Sequence, residues 1–179
     1  MLRRIGRIFR DIGAASLLAI GAPSFVHAAE DTTITVFSAW RGGGQLFETG
    51  PDEATFVGAL GGTVYVETDK GPIDSGQLTC PAIVKIDLTD RSQIGTGHCT
   101  IRSRDGDRIY GDVDCTGFFL IGCEGKFTLT SGTGRFAGIT GGGPVIIRSD
   151  FGQSESTGGK AVQEASGIIY WRNLHYQIP

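Results

Sequence analysis

Four cysteines have the clearest chemistry of any residues in this sequence. They are Cys80, Cys99, Cys115 and Cys123, and no two of them form a Cys-x-x-Cys pair. All four share parity with the apolar residues of their predicted strands, so cysteines on neighbouring strands can face each other. The predicted hairpins favour the pairs Cys80–Cys99 and Cys115–Cys123. The pair Cys99–Cys115 stays open as an alternative, because the turn DGD at 105–107 also brings those two strands together.

The other candidates for metal or acid–base chemistry lack the required spacing. His98 and His175 have no ligand partners at the spacing of a zinc site, and His98 is expected on a solvated face. The stretch DGDRIYGDVD alternates aspartates but lacks the later ligands of a calcium loop, and Arg108 interrupts it. Asp112 and Asp114 share an exposed strand face, where carboxylates are usually only solvated. The sequence therefore predicts no metal and no cofactor.

The stretch TSGTGRFAGITGGG, residues 130–143, contains six glycines. Gly-x-Gly also opens the dinucleotide-binding fingerprint, but the residues that follow are glycines and β-branched residues rather than the start of a helix. We instead expect a turn with positive φ at Gly132 or Gly134, with Phe136 directed inward. Gly138 and the glycines after it would allow further bends.

The elements that must position these residues begin after a predicted leader. Residues 1–28 contain an arginine-rich start, an uncharged apolar run of about eleven residues and a small-residue end, as a secretory signal peptide does. The run is shorter than the ~20 residues that span a bilayer. We expect cleavage after Ala28, a mature domain at 29–179, and a periplasmic or secreted location.

The charge of the chain argues against two classes of partner. The whole chain has a formal net charge of −3, and removal of the arginine-rich leader makes the mature chain more acidic. No block of like charge follows the leader, so nothing resembles the basic surface that binds nucleic acid or anionic lipid. The sequence predicts no nucleic-acid partner and no membrane partner after cleavage, and it does not predict the oligomeric state.

Apolar residues alternate with period two from end to end of the mature chain, and no helical periodicity recurs. In PAIVKIDLTD, for example, Ala82, Val84, Ile86 and Leu88 share one face and Lys85 lies on the other. About eight strands can be placed between turn residues, including strands at 54–67, 136–149 and 160–172. Glycine is abundant, 29 in all, and often lies inside strands, where it marks bulges or bends. Small barrels need several such bends, so an all-β, single closed antiparallel β-barrel is favoured over a sandwich.

The segment SGTGRFAGITGGG, the preceding run from GHCTIRSRDGD to GKFTLT, and the ending ASGIIYWRNLHYQIP carry a family resemblance. Over residues 31–179 the chain resembles the allene oxide cyclase and dirigent type of barrel, and more closely its uncharacterised secreted bacterial members. The resemblance implies a barrel with a ligand or substrate site inside. It transfers no catalytic residue, because no position matches the polar pocket residues of the plant enzymes.

Strand parity predicts which side chains face the interior of such a barrel, where a ligand would bind. The interior is expected to be apolar, with two serines as its polar side chains, and to be lined by Val36, Ser38, Trp40, Phe56, Val84, Ile86, Ile101, Ser103, Val113 and Phe127. The same parity places Leu88 and Leu129 inside. The register of the strands at 54–67 and 160–172 is ambiguous, so Glu67 or Glu164 remains a candidate for the interior. Small residues such as Ala82 and Gly111 beside large ones could leave a hollow.

Three functions remain open at this point. An apolar interior suits an exported protein that binds a small apolar molecule, which we expect. A cyclase-like or isomerase-like enzyme that folds an apolar substrate by shape is the first alternative. A structural or interaction protein with a filled barrel is the second, because eight strands enclose a space that side chains alone can fill. Whether the protein is an enzyme is not predicted.

Overall fold

Eight antiparallel strands form one closed barrel in the computed structural model, which describes residues 30–157 and 160–179, with the backbone alone for 150–157 and 160–163. The strands follow one another around the barrel in chain order: β1 (Glu30–Gly50), β2 (Glu53–Val66), β3 (Ile73–Asp87), β4 (Ser92–Arg102), β5 (Arg108–Phe118), β6 (Gly122–Gly132), β7 (Thr140–Thr157) and β8 (Lys160–Ile178). The prediction of an all-β closed barrel is confirmed. The predicted leader, with its cleavage site, lies outside the described residues.

The barrel closes where β1 pairs with β8, from Glu30 opposite Ile178 to Leu46 opposite Ala161. Closure removes the free sheet edges that an open sheet of this size would expose. Within the described ranges, no helix is long and apolar enough to cross a membrane.

The alternation of apolar and polar residues in the sequence gives the barrel an apolar inner face and a more polar outer face. Along β3, Leu78, Cys80 and Ile86 are buried, while Ile83 and Lys85 point outward and are exposed. The pattern arises because successive side chains of a strand lie on opposite sides of the sheet. The apolar parity that predicted the strands therefore also identifies the inner face.

The two ends of the barrel differ. The end formed by loops 67–72, 103–107 and 133–139, here called the closed end, is packed by apolar side chains that include Leu129, Ile139 and Leu174. The opposite end, here called the open end, is formed by the β1–β2 turn, the β3–β4 turn and the β5–β6 turn at 119–121.

The glycine-rich stretch forms the lid of the closed end. It turns through a short 3₁₀ segment, Gly134–Phe136, in which Gly134 has φ 55°, and Phe136 packs against the core. The tip of the β4–β5 hairpin holds this loop: Asp107 accepts a hydrogen bond from the Arg135 amide at 3.0 Å, and Asp105 pairs with the Arg135 guanidinium at 3.3 Å. The acidic stretch that invited a calcium interpretation therefore anchors a loop.

Three details differ from the sequence-based expectation. Leu88 is exposed rather than internal, because β3 ends at Asp87 and the Leu88 amide donates to Asp52 in the neighbouring turn at 2.8 Å. The seventh strand begins at Thr140 rather than 136, because the 3₁₀ segment occupies the earlier positions. Of the two glycines considered for the turn, Gly134 and not Gly132 takes the positive φ.

Candidate functional site: an apolar cavity in the open half

The open half of the barrel encloses a cavity of about 140 Å³. An apolar cavity of about 150 Å³ is large enough to take up benzene. Typical pockets for larger organic ligands occupy about 300–1,000 Å³. The enclosed space therefore fits a single small ring, and a longer molecule would have to extend through the open end.

Large apolar side chains from several strands form the walls of the cavity, and small residues leave the space between them. Phe56, Val84, Val113 and Phe127 have large side chains, whereas Gly95 has none and Ala82 has only a methyl group. A methyl group added at Gly95 would lie 3.3 Å from the Cys115 sulfur and meet no backbone. The cavity thus depends on where small side chains lie on the inner face.

The rim at the open end combines apolar and polar groups. Phe119 and Leu120 of the β5–β6 turn line it, and Leu120 has φ 64°, a conformation that non-glycine residues seldom adopt. Gln93 and Ser149 add polar side chains, and the Gln93 amide donates to the Gly122 carbonyl at 3.2 Å. A ligand that enters at the open end therefore passes the short β5–β6 turn.

Both disulfides border the cavity. Cys80 pairs with Cys99 across β3 and β4, and Cys115 pairs with Cys123 across β5 and β6. The favoured pairing is confirmed, and the alternative Cys99–Cys115 is wrong. All four sulfurs belong to residues that line the cavity. The bridges cross-link four consecutive strands around the cavity and suit an oxidising compartment.

Two tryptophans of the wall, Trp40 on β1 and Trp171 on β8, are buried, with 7% and 1% of their surface exposed. Neither indole N–H has a hydrogen-bond acceptor among the described residues. A buried donor left without a partner costs about 1–3 kcal/mol. Trp171 also packs edge-on against Phe127, with ring centroids 5.5 Å apart. Both indole nitrogens are covered by neighbouring atoms and do not open onto the cavity, whose polar side chains are those of Gln93, Thr96 and Ser149.

Six of the ten residues predicted to line the interior border the cavity: Trp40, Phe56, Val84, Ile86, Val113 and Phe127. The other four do not. Val36 is buried toward the closed end, and Ile101 packs against the core there. Ser38 is completely buried, and its hydroxyl lies 3.5 Å from the Ala39 carbonyl.

Ser103 has a structural position instead. It lies in the β4–β5 turn, where its hydroxyl bonds to the Asp105 carboxylate and to the Asp107 carbonyl. The hydrogen bond that Ser103 donates is the main reason why the pKa of Asp105 lies below its usual value. Parity places a residue on the inner face, but it does not tell which half of the barrel is hollow.

Sequence reasoning missed most of the β7 and β8 wall. Val145 and Ile147 on β7, and Ile169 and Trp171 on β8, all border the cavity. Their alternation was readable in the sequence, but the register of the last strand was ambiguous. The two acids left open for the interior, Glu67 and Glu164, are both exposed.

The titratable groups lie elsewhere. His98 is exposed on the outer face, with its Nδ1 2.7 Å from Asp112. At the closing seam, bonds from Gln177 and His175 lower the pKa of Asp31. Among the described residues that border the cavity, none is an acid, a base or a histidine. Within the described ranges no cluster of three potential metal ligands occurs.

No protein-family model and no curated protein sequence matches the chain. Among solved structures, a pterocarpan synthase dirigent protein matches with 11% sequence identity and a TM-score of 0.36, over 88% of this chain and 99% of that chain.

Proposed function

We propose that this protein is exported and binds a small apolar molecule inside the open half of its barrel. The observation that supports the proposal is the apolar cavity of about 140 Å³ in the open half, beside a closed end in which apolar side chains pack together. A barrel of eight strands is small enough for side chains to fill it throughout, so a hollow half is a specific feature of this chain. The ligand class is a neutral molecule with the size of one ring.

Export is the second part of the proposal. Two disulfides suit an oxidising compartment, and the first 28 residues have the layout of a cleaved leader. The cyclase-like alternative would act by holding its substrate in one shape, which a lining of apolar side chains also permits, so the experiments below test binding and do not separate it from catalysis.

The proposal can be tested by a substitution that fills the cavity. Ala82→Leu adds bulk to the wall, whereas Ala39→Leu makes the same change on the exposed outer face of β1. We expect the exported wild type and Ala39→Leu to bind benzene in calorimetric titrations, and Ala82→Leu to lose at least about tenfold in affinity, with all three folded by thermal unfolding.

N-terminal sequencing of the same exported protein tests the leader, with Ala29 expected as the first residue. An unprocessed Met1 would contradict the export proposal. Equal benzene binding by a folded Ala82→Leu variant, or none by the wild type, would contradict ligand binding and favour a filled structural barrel.

A further inference from the structure

The polar side chains of the cavity lie toward one end of it. The deeper part of the wall is formed by apolar side chains that belong to the core, including those of Val113, Phe127 and Ile169. At the open end, Gln93 of β4 and Ser149 of β7 add an amide and a hydroxyl, and both residues are half-buried. The lining therefore changes from apolar to polar along the barrel axis, which suits a ligand with one polar end.

Gln93 and Ser149 are both anchored to the β5–β6 turn. The side-chain amide of Gln93 donates to the Gly122 carbonyl at 3.2 Å, and the backbone N–H of Ser149 donates to the Ile121 carbonyl at 3.1 Å. These two carbonyls belong to consecutive residues, so both polar side chains are attached to the same part of the rim. Thr96, the third polar residue of the lining, is at an exposed position of β4.

The bond to Gly122 fixes the orientation of the Gln93 amide. A carbonyl oxygen only accepts hydrogen bonds, so the amide nitrogen of Gln93 must be the atom that faces Gly122. The side-chain oxygen Oε1 then points away from Gly122, and among the described residues no donor is bonded to it. Gln93 thus offers an acceptor at the mouth of an apolar cavity.

We infer that the ligand carries a hydroxyl group on an otherwise apolar body, and that this hydroxyl lies at the open end, where it donates to Oε1 of Gln93. The inference rests on the proposed function and specifies the ligand of the same cavity. A ligand that occupies the mouth displaces water from Gln93, and its own O–H replaces the lost donor. Since a hydroxyl oxygen also accepts, the Ser149 hydroxyl can donate to it. No arginine, lysine or histidine borders the cavity in the part of the chain that the structure describes, so the lining favours a neutral ligand over a carboxylate.

A matched pair of probes, cyclopentanol and cyclopentanone, tests the inference. Both are neutral rings of nearly the same size with one oxygen atom, but only the alcohol has an O–H to donate. We expect calorimetric titration of the wild type to show cyclopentanol binding about threefold to tenfold tighter than cyclopentanone, the gain from about one net hydrogen bond.

Gln93→Met removes the acceptor and keeps an unbranched side chain of similar length. The variant also loses the bond to Gly122, which affects both probes alike, so the ratio of the two affinities is the quantity to compare. We expect that ratio to fall to about one in Gln93→Met. Gln77→Met is the matched control and should keep the wild-type ratio, because Gln77 lies on the exposed outer face of β3, where its amide donates to the Thr63 hydroxyl at 3.1 Å.

A crystal structure of the cyclopentanol complex gives a second, direct measurement. The hydroxyl oxygen should lie about 2.5–3.0 Å from Oε1 of Gln93, with the ring directed toward Phe127. Equal affinity of the two probes, a preference that survives in Gln93→Met, or a hydroxyl directed toward the closed end would overturn the inference. Benzene binding by the wild type would in each of these cases still support the proposed function. A wild type that binds neither benzene nor cyclopentanol would contradict the proposed function, and the inference with it.

Discussion

At the scale of single residues, two glycines of the inner face have opposite surroundings. Both Gly95 and Gly111 are buried on neighbouring strands. A Cβ at Gly111 would lie 2.5 Å from the Phe127 ring and 2.9 Å from the Thr128 carbonyl. A Cβ at Gly95 would meet only the edges of Cys115 and Val84. Gly111 was expected beside a hollow, and the structure corrects that: Phe127 occupies the space.

Gly111→Ala should therefore destabilise the protein, because the added methyl group would overlap both the Phe127 ring and the backbone carbonyl of Thr128. Overpacking of this kind costs about 1–3 kcal/mol, so we expect denaturant titration to show a loss of that size in the free energy of unfolding. Gly95→Ala is the matched control and should be at least as stable as the wild type, since it reduces the freedom of the unfolded chain. Equal stabilities of the two variants would contradict this account of the inner face.

At the scale of elements, the seam between β1 and β8 closes the barrel through a polar cluster near the closed end. Tyr176 donates its hydroxyl proton to Glu30, while Asp31 accepts from Gln177 at 2.8 Å and contacts His175 at 2.8 Å. Burial of the ring is the main cause that raises the pKa of Tyr176 to about 12, and the carboxylate of Glu30 adds to it. The first and last strands are thus joined by side chains as well as by the backbone ladder.

The raised pKa predicts a loss of stability in alkaline solution. An unfolded tyrosine releases its proton near pH 10.0, whereas folded Tyr176 keeps it until about pH 12. Protonated Tyr176 therefore contributes to the free energy of unfolding. This contribution is complete below pH 10 and is lost as the pH rises through 12. Denaturant titrations should show a decline over this interval that is smaller in Tyr176→Phe and unchanged in Tyr65→Phe. A decline that is the same in all three proteins would show that Tyr176 is not its cause.

The strands were largely predictable because alternation depends on short-range periodicity. β3 shows the limit of that reasoning: parity predicted Val84 and Ile86 inside, but it could not show that the strand stops before Leu88. The disulfides were predictable for a similar reason, since hairpins brought Cys115 and Cys123 together. The length of a strand depends on contacts with turns distant in the sequence, which periodicity does not contain.

At the scale of the whole molecule, the barrel is divided into a packed half and a hollow half. Phe136 and Ile139 pack against the core at the closed end, while in the open half Gly95 and Ala82 lie among the larger residues that line the cavity. The division was not predictable from the sequence, because it depends on which small residues face each other across the interior. Alternation alone would have been equally consistent with a barrel filled from end to end.

A crystal pressurised with xenon tests the central claim, that the open half is a cavity able to hold an apolar guest. Xenon enters apolar cavities of this size and is located directly by its scattering. The account predicts a xenon atom among Trp40, Val84, Val113 and Phe127 in the wild type, and none there in Ala82→Leu crystals. An interior that takes up no xenon in the wild type, with side chains occupying the open half, would contradict the account.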